Sequence, residues 1–344
     1  MNTQKVLVLA CVAAIAVAGA VLTRPTSPDR ISGDKRGTAV FPDLLKKANE
    51  VASISVRDKT GTFTVVNTGK AFVEKDSRYP VKDDLYRDLV GAAATLTFEE
   101  AKTEDAKRYA DVGLAEPAKD KKDNEAGREV TLFDKSGKKL AQFFAGSRES
   151  NVGGARGGQY VRLPGEKRVW LVRGAADVPA PHTAWFEINL INLNKAALAK
   201  VELSGGGLED LKFQSANKDA DLKLMTPVPE GRKENSTNVL RVSFMVDPIS
   251  FANVRKPKGE VKPDARKMVI MSRDGLKITI TNVGELKDGW VRIAAEATGD
   301  KAKKAAADLK LKIDGFEFKL IDRYAEVLRW KLKENFTEEN KKKS

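Results

Sequence analysis

The chain has 344 residues, with 61 Lys+Arg against 48 Asp+Glu for a formal charge of +13, 41% hydrophobic residues, one cysteine and one histidine. At about 150 residues per domain this leaves room for two cores, and the composition excludes collagen-like, fully disordered and multi-span membrane classes. A single Cys and a single His also exclude a disulfide scaffold and the usual Cys/His zinc site, and they leave His182 without a partner that sequence can identify for a catalytic triad.

Residues 6–22, VLVLACVAAIAVAGAVL, form an uncharged run of 17 residues between Lys5 and Thr23-Arg24. That is the short end of a membrane span, with Val6, Leu7, Leu9, Ile15, Val17 and Leu22 as its anchoring residues. Two readings stay open for residues 1–24. Apolar Val21 and Leu22 continue past the small-residue sites, which favours an uncleaved anchor; cleavage after Ala18 or Ala20 makes the segment a signal peptide. Either way the remainder is exported. Lys5 keeps the N-terminus cytoplasmic by the positive-inside tendency, so the expected location is a bacterial inner membrane with the bulk of the chain in the periplasm. Cys11, followed by eleven more apolar residues, reads as a small packing residue rather than a lipidation site.

Residues 25–40, rich in Pro, Ser, Gly and charge, read as a tether. Period-two alternation then marks strands at Ala52–Asp58 and Thr62–Val66, joined through Lys59-Thr60-Gly61 as a hairpin. Lys82 to Leu96 switches to helical spacing, with Leu85, Leu89, Ala93 and Leu96 on one face and Asp83 at its start. Strand signals return at 128–134, 139–146, 159–163 and 168–172, while 119–127, KDKKDNEAG, reads as a solvated loop.

The same order of signals recurs downstream. Leu96-Thr97-Phe98 with Ala101-Lys102 matches Ile249-Ser250-Phe251 with Val254-Arg255 at identical spacing, and Tyr160-Val161-Arg162-Leu163 matches Trp290-Val291-Arg292-Ile293. Leu320, Ile321, Tyr324, Val327, Leu328, Leu332 and Phe336 then fall at helical spacings. The expected fold is α+β: two related antiparallel-sheet-plus-helix units in tandem (41–190 and 191–300), an N-terminal transmembrane helix, a C-terminal amphipathic helix within 301–337 and a polar tail at 338–344.

In this order the apolar run, the strand pair around Val51 to Val66, Tyr79-Pro80 with the helix through Leu96, Tyr109-Ala110-Asp111-Val112-Gly113-Leu114-Ala115-Glu116-Pro117 and Gly158-Gln159-Tyr160-Val161-Arg162 resemble the bacterial envelope proteins of the domain-of-unknown-function 4340 family. The chain departs from the family at Phe72, where a tryptophan is usual, with apolar bulk kept. The resemblance implies a tethered, non-enzymatic protein often found near genes for ABC transporters of the gliding-motility type. It names no substrate, cofactor or catalytic residue.

Among candidate sites, residues 147–158 superficially resemble a phosphate-cradling loop, but they lack the Lys-Ser/Thr ending and precede a strand where a helix start is needed. Gly153, Gly154, Arg156, Gly157 and Gly158 are the only ligand-loop candidates in the first unit. The carboxylate pairs Glu99-Glu100 and Asp83-Asp84 are explained by exposed helix ends, and His182 by a proline-rich turn. Interspersed charges and the lack of a recognised motif argue against nucleic acid. The expectation is a non-catalytic accessory subunit of an envelope ABC transport system, with no cofactor or metal, a membrane anchor and protein partners in an envelope complex. The alternative is a soluble periplasmic binding protein for a glycan, lipid or peptide.

Overall fold

The computed structural model describes residues 35–338 apart from 123, 153–156, 245 and 247. Val6, Leu7, Leu9, Ile15, Val17 and Leu22 of the expected anchor therefore lie outside the described residues. No helix among the described residues is long and apolar enough to cross a membrane. The fold is α+β on antiparallel sheets, and the chain divides into two compact units.

In the first unit the short helix α1 (Leu44–Lys47) precedes β1 (Ser53–Asp58) and β2 (Gly61–Asn67). These strands form the expected hairpin, with Ile54 opposite Val65 and Val56 opposite Phe63, all four buried on one face as period two requires. After β3 (Phe72–Glu74) comes α2 (Asp83–Thr95), which buries Tyr86, Leu89, Val90 and Ala93 and leaves Leu85 half-buried. Leu89, Ala93 and Leu96 of the expected stripe are buried; Tyr86, whose ring stacks on Phe72 at 4.1 Å and whose hydroxyl donates to the Val51 carbonyl at 3.0 Å, is buried at its start where the spacing predicts Leu85. β4 (Thr97–Ala101), β5 (Arg128–Phe133), β6 (Lys139–Glu149), β7 (Gly158–Arg162) and β8 (Val169–Arg173) complete an eight-stranded sheet ordered β3-β2-β1-β5-β6-β7-β8-β4.

Residues 37–40, assigned above to the tether, run along the outer edge of β4. Gly37 N–H donates to the Phe98 carbonyl at 2.7 Å, Phe98 N–H to Thr38 at 2.9 Å and Val40 N–H to Leu96 at 2.9 Å. An edge strand's unpaired amides and carbonyls give even a polar segment a place to dock. The Tyr109–Pro117 motif packs onto β6: Leu114 is fully buried and the Tyr109 hydroxyl donates to the Lys167 carbonyl at 2.6 Å. A Cβ on Gly146 would meet the Val112 carbonyl oxygen at 2.5 Å and Leu114 Cγ at 2.7 Å. Gly146→Ala is therefore expected to destabilise the first unit by about 1–3 kcal/mol through overpacking. Urea unfolding measures this, and an unchanged midpoint would contradict the close packing.

The second unit contains β9 (Asn189–Ile191), β10 (Leu198–Ser204), β11 (Leu211–Gln214) and β12 (Lys223–Leu224). A short strand β13 (Arg232–Glu234) leads into α3 (Ser236–Phe244) and β14 (Ile249–Arg255). β15 (Lys267–Ser272), β16 (Leu276–Asn282) and β17 (Trp290–Ala297) follow, then α4 (Lys303–Ile313), β18 (Glu317–Leu320), α5 (Asp322–Leu328) and β19 (Phe336–Glu338). Its main sheet is ordered β12-β11-β10-β15-β16-β17-β18-β14-β9, and β13 pairs with β19 in a separate two-stranded sheet.

Two features correct the expected layout. The units are not the contiguous segments 41–190 and 191–300, because Val73–Lys82, which includes the last two residues of β3, groups with the second unit, and that unit otherwise starts at Ala180 and continues past residue 300. The cause is Tyr79, whose ring meets Phe186, Phe251, Phe316 and Phe318 edge-on at centroid distances of 5.7, 5.5, 4.9 and 5.6 Å. The C-terminal segment is not one amphipathic helix either. Phe318 and Leu320 are buried and Lys319 is exposed, a period-two pattern that places β18 between β17 and β14; the helical spacing extends only over α5.

Candidate functional site

On the first unit a groove of about 270 Å³ is lined by Arg36, Glu99, Glu100, Lys102, Glu149, Asn151, Val152, Tyr160, Leu171 and Arg173. Its polar side chains come from the edge segment and from β4, β8, β7 and β6. Cross-strand pairing sets their positions: Glu100 lies opposite Leu171, Leu171 opposite Tyr160, and Gly158 opposite both Arg173 and Glu149.

Glu99 occupies a register irregularity between Phe98 and Glu100, which turns its side chain between two guanidiniums. Arg36 NH2 donates to one carboxylate oxygen at 2.7 Å, and Arg173 Nε and NH2 donate to the other at 3.2 and 3.0 Å. Burial alone would raise the pKa of this carboxyl, but the hydrogen bonds and positive charge of Arg36 and Arg173 outweigh it and hold Glu99 below its ordinary value. Lys102 pairs with Glu100 at 2.8 Å. At the other end the Tyr160 hydroxyl donates to Glu149 at 3.3 Å, and Asn151 N–H donates to the same carboxylate at 3.1 Å. Burial raises the Tyr160 phenol above its ordinary value, and the negative charges of Glu149 and Glu100 add to the rise.

Asn151 and Val152 of the groove belong to the segment 147–158 singled out in the sequence. Gly153, Gly154 and Arg156 lie outside the described residues. Gly157 adopts φ +64°, and Gly158 opens β7, where a Cβ would meet Val152 side-chain atoms and the Val172 carbonyl oxygen at 2.9 Å. Close packing accounts for Gly158. Glu99 and Glu100 are on a strand, not at an exposed helix end, and the Glu99 side chain is only 11% exposed. Asp83 and Asp84 do start a helix and are exposed. His182 is half-buried in a 3₁₀ turn. Among the described residues no group of three His, Cys, Asp or Glu is placed to hold a metal ion.

A second polar cluster sits within the sheet of the second unit. Glu317 on β18 is fully buried and accepts from Arg255 Nε at 2.9 Å, Arg292 Nε at 3.0 Å and NH2 at 2.9 Å, and Lys258 N–H at 3.2 Å. The Arg255 guanidinium lies 3.8 Å from the centroid of the Trp290 ring. With both carboxylate oxygens engaged and the side chain fully buried, this cluster holds strands together. In the first unit, Arg162 sits over the Phe144 and Tyr109 rings at 4.2 and 5.0 Å and donates to Glu116 at 2.5 Å, which ties the Tyr109–Pro117 motif to β7.

A family model described as Domain of unknown function (DUF4340) matches residues 72–265, from β3 into the segment before β15. No curated protein and no solved structure matches the chain.

Proposed function

The chain belongs to the DUF4340 family, and on that footing we propose that it is a non-catalytic, membrane-tethered periplasmic protein that serves as an accessory subunit of an envelope ABC transport system. One observation carries the tethering: the segment that runs along β4 begins at Gly37, 15 residues after Leu22, the last residue of the apolar run. At about 3.5 Å per extended residue, that stretch spans at most about 50 Å, so a first unit anchored through residues 6–22 stays close to the bilayer surface. The transport association rests on the resemblance carried by Tyr79-Pro80, Tyr109–Pro117 and Gly158–Arg162.

The same proposal takes the two units as a duplicated module. Strand orders support it, since β3-β2-β1-β5-β6-β7-β8-β4 matches β12-β11-β10-β15-β16-β17-β18-β14 element for element. Residues 37–40 flank β4 as β9 flanks β14. The pairing also breaks register at the same place, between Phe98 and Glu100 and between Phe251 and Asn253.

Tethering predicts that full-length protein in native membranes stays in the pellet through alkaline carbonate extraction, whereas a variant lacking residues 6–22 is released. Release of the full-length chain, with a processed N-terminus after Ala18 or Ala20, would favour the soluble binding-protein reading.

A further inference from the structure

The two units close the same pair of rings in different ways, a comparison that rests on the duplication proposed above. Phe98 and Trp170 of the first unit hold the register positions of Phe251 and Phe318 in the second, with Ala101 opposite Trp170 as Val254 is opposite Phe318. Both pairs of rings pack together, at centroid distances of 4.7 and 5.3 Å. The flanking segments correspond as well: Phe98 N–H donates to the Thr38 carbonyl as Phe251 N–H donates to Ile188, and Ala39 lies opposite Thr97 as Asn189 lies opposite Ser250. In the second unit further rings finish the cluster, since Tyr79 and Phe186 both pack on Phe251. In the first unit the flanking segment brings Lys35 instead, and its Nζ stands 5.4 Å from the centroid of each ring.

Lys35 is held there loosely. Its side chain is 51% exposed, and Nζ lies 4.0 Å from Glu166 Oε1, longer than a hydrogen bond. Glu166 is the fixed partner: it accepts from the Trp170 indole Nε1 at 3.2 Å, which keeps its carboxylate at the rim of that ring. Beside them an opening of about 600 Å³ is lined chiefly by Lys35, Glu104, Glu166, Lys167, Arg168 and Trp170. Arg168 and Glu104 pair with each other at 2.5 Å, and Lys167 is exposed. When Lys35 swings away, the rings and the Glu166 carboxylate are left facing the opening without the charge that now sits over them.

We propose that this seat binds a quaternary ammonium group, for which the Lys35 ammonium is a resident stand-in displaced on binding. The seat attracts positive charge through two aromatic rings and a carboxylate set farther off than a hydrogen bond. A bare ammonium carries three N–H donors that this arrangement leaves to water, whereas a methylated ammonium has none to satisfy and brings apolar surface to the rings.

Titration of choline chloride into the full-length chain in maltoside detergent at constant ionic strength, followed at the four tryptophan indole N–H signals, tests this. It needs neither the tether, the duplication nor a transporter, so it can fail while those readings stand. One indole signal is expected to move saturably. Ammonium chloride and neohexyl alcohol, the neutral carbon isostere of choline, are each expected to bind at least about tenfold more weakly. Lys35→Ala, at an exposed residue, is expected to tighten choline binding about threefold or more by removing the competitor. Glycerophosphocholine separates the two sources of the group: tighter binding than choline assigns a lipid headgroup, and equal or weaker binding assigns a free solute. No saturable movement in Lys35→Ala, choline binding no tighter there than in the parent, or equal binding of either control overturns the proposal.

Discussion

Replacing Tyr79 by alanine is expected to destabilise the second unit by about 3–5 kcal/mol, the range for truncating a buried aromatic side chain. The ring is 5% exposed and meets four phenylalanines edge-on, so truncation removes both its buried area and its quadrupolar contacts. The effect falls on the second unit because Val73–Lys82 belongs to it, although the chain on both sides belongs to the first. Denaturant unfolding followed at the tryptophans is expected to shift to lower midpoint, and a stability within about 0.5 kcal/mol of the parent would contradict the packing role of Tyr79. Tyr79→Phe separates packing from ionisation. Burial, helped by the negative charge of Glu187, pushes the Tyr79 phenol up to about 12. Below about pH 10 both folded and unfolded chains keep this proton, and the full stability is present. As pH rises from there through the folded value, the unfolded chain ionises first and stability falls. Tyr79→Phe is expected to keep most of the neutral-pH stability and flatten part of this alkaline decline, with Tyr86, raised by burial in the first unit, supplying another part.

The other large effect is expected at Glu317. Glu317→Val strands two guanidiniums that share its carboxylate, and the expected loss is about 3 kcal/mol. This is the low end for breaking a buried pair because Arg255 and Arg292 keep 25% and 31% side-chain exposure and can turn toward water. Arg292 also donates to the Gly259 carbonyl, and that bond survives the substitution. Removing all three charges together, Glu317→Val with Arg255→Met and Arg292→Met, is expected to recover most of the loss, since well-packed apolar groups replace a desolvated ion cluster at little net cost. On the duplication proposed above, Val169 of the first unit corresponds to Glu317, since Lys102 pairs with Val169 as Arg255 pairs with Glu317. A triple variant less stable than Glu317→Val alone would show that the arginines stabilise the sheet by stacking, as Arg255 does on Trp290, more than by pairing.

Much of the sheet architecture is legible in the sequence because half-buried strands alternate. Ile54, Val56, Phe63 and Val65 announce the first hairpin, and the β5 and β6 segments are equally plain. The exchange of Val73–Lys82 into the other unit is not legible, since period and propensity describe a segment and say nothing about which core receives Tyr79. The C-terminal segment misleads for a related reason: Leu320, Tyr324, Val327 and Leu328 fit a helical stripe, yet Leu320 is committed to β18 by strand pairing.

The site was harder still. The groove is made by residues that look like ordinary surface charge in the sequence, and Gly153, Gly154 and Arg156 of the glycine loop lie outside the described residues. Arg36 was hidden in a polar stretch read as tether, and Glu99-Glu100 follow a helix closely enough to pass for its end. A register irregularity in β4 turns Glu99 inward, and neither its position nor its effect is written in residue type. The available signal is the charged run Glu99-Glu100-Ala101-Lys102 directly after the apolar Leu96 and Phe98, where the similar segment Ala252-Asn253-Val254-Arg255 carries one charge.

The measurement that bears most directly on tethered accessory function is affinity purification of the full-length chain from native membranes in mild detergent, with mass spectrometry of its own N-terminus and of every copurifying protein. An intact N-terminus that retains residues 6–22, together with transporter permease or ATPase subunits in stoichiometric amount, is the expected result. A processed N-terminus with no transporter subunit would contradict it.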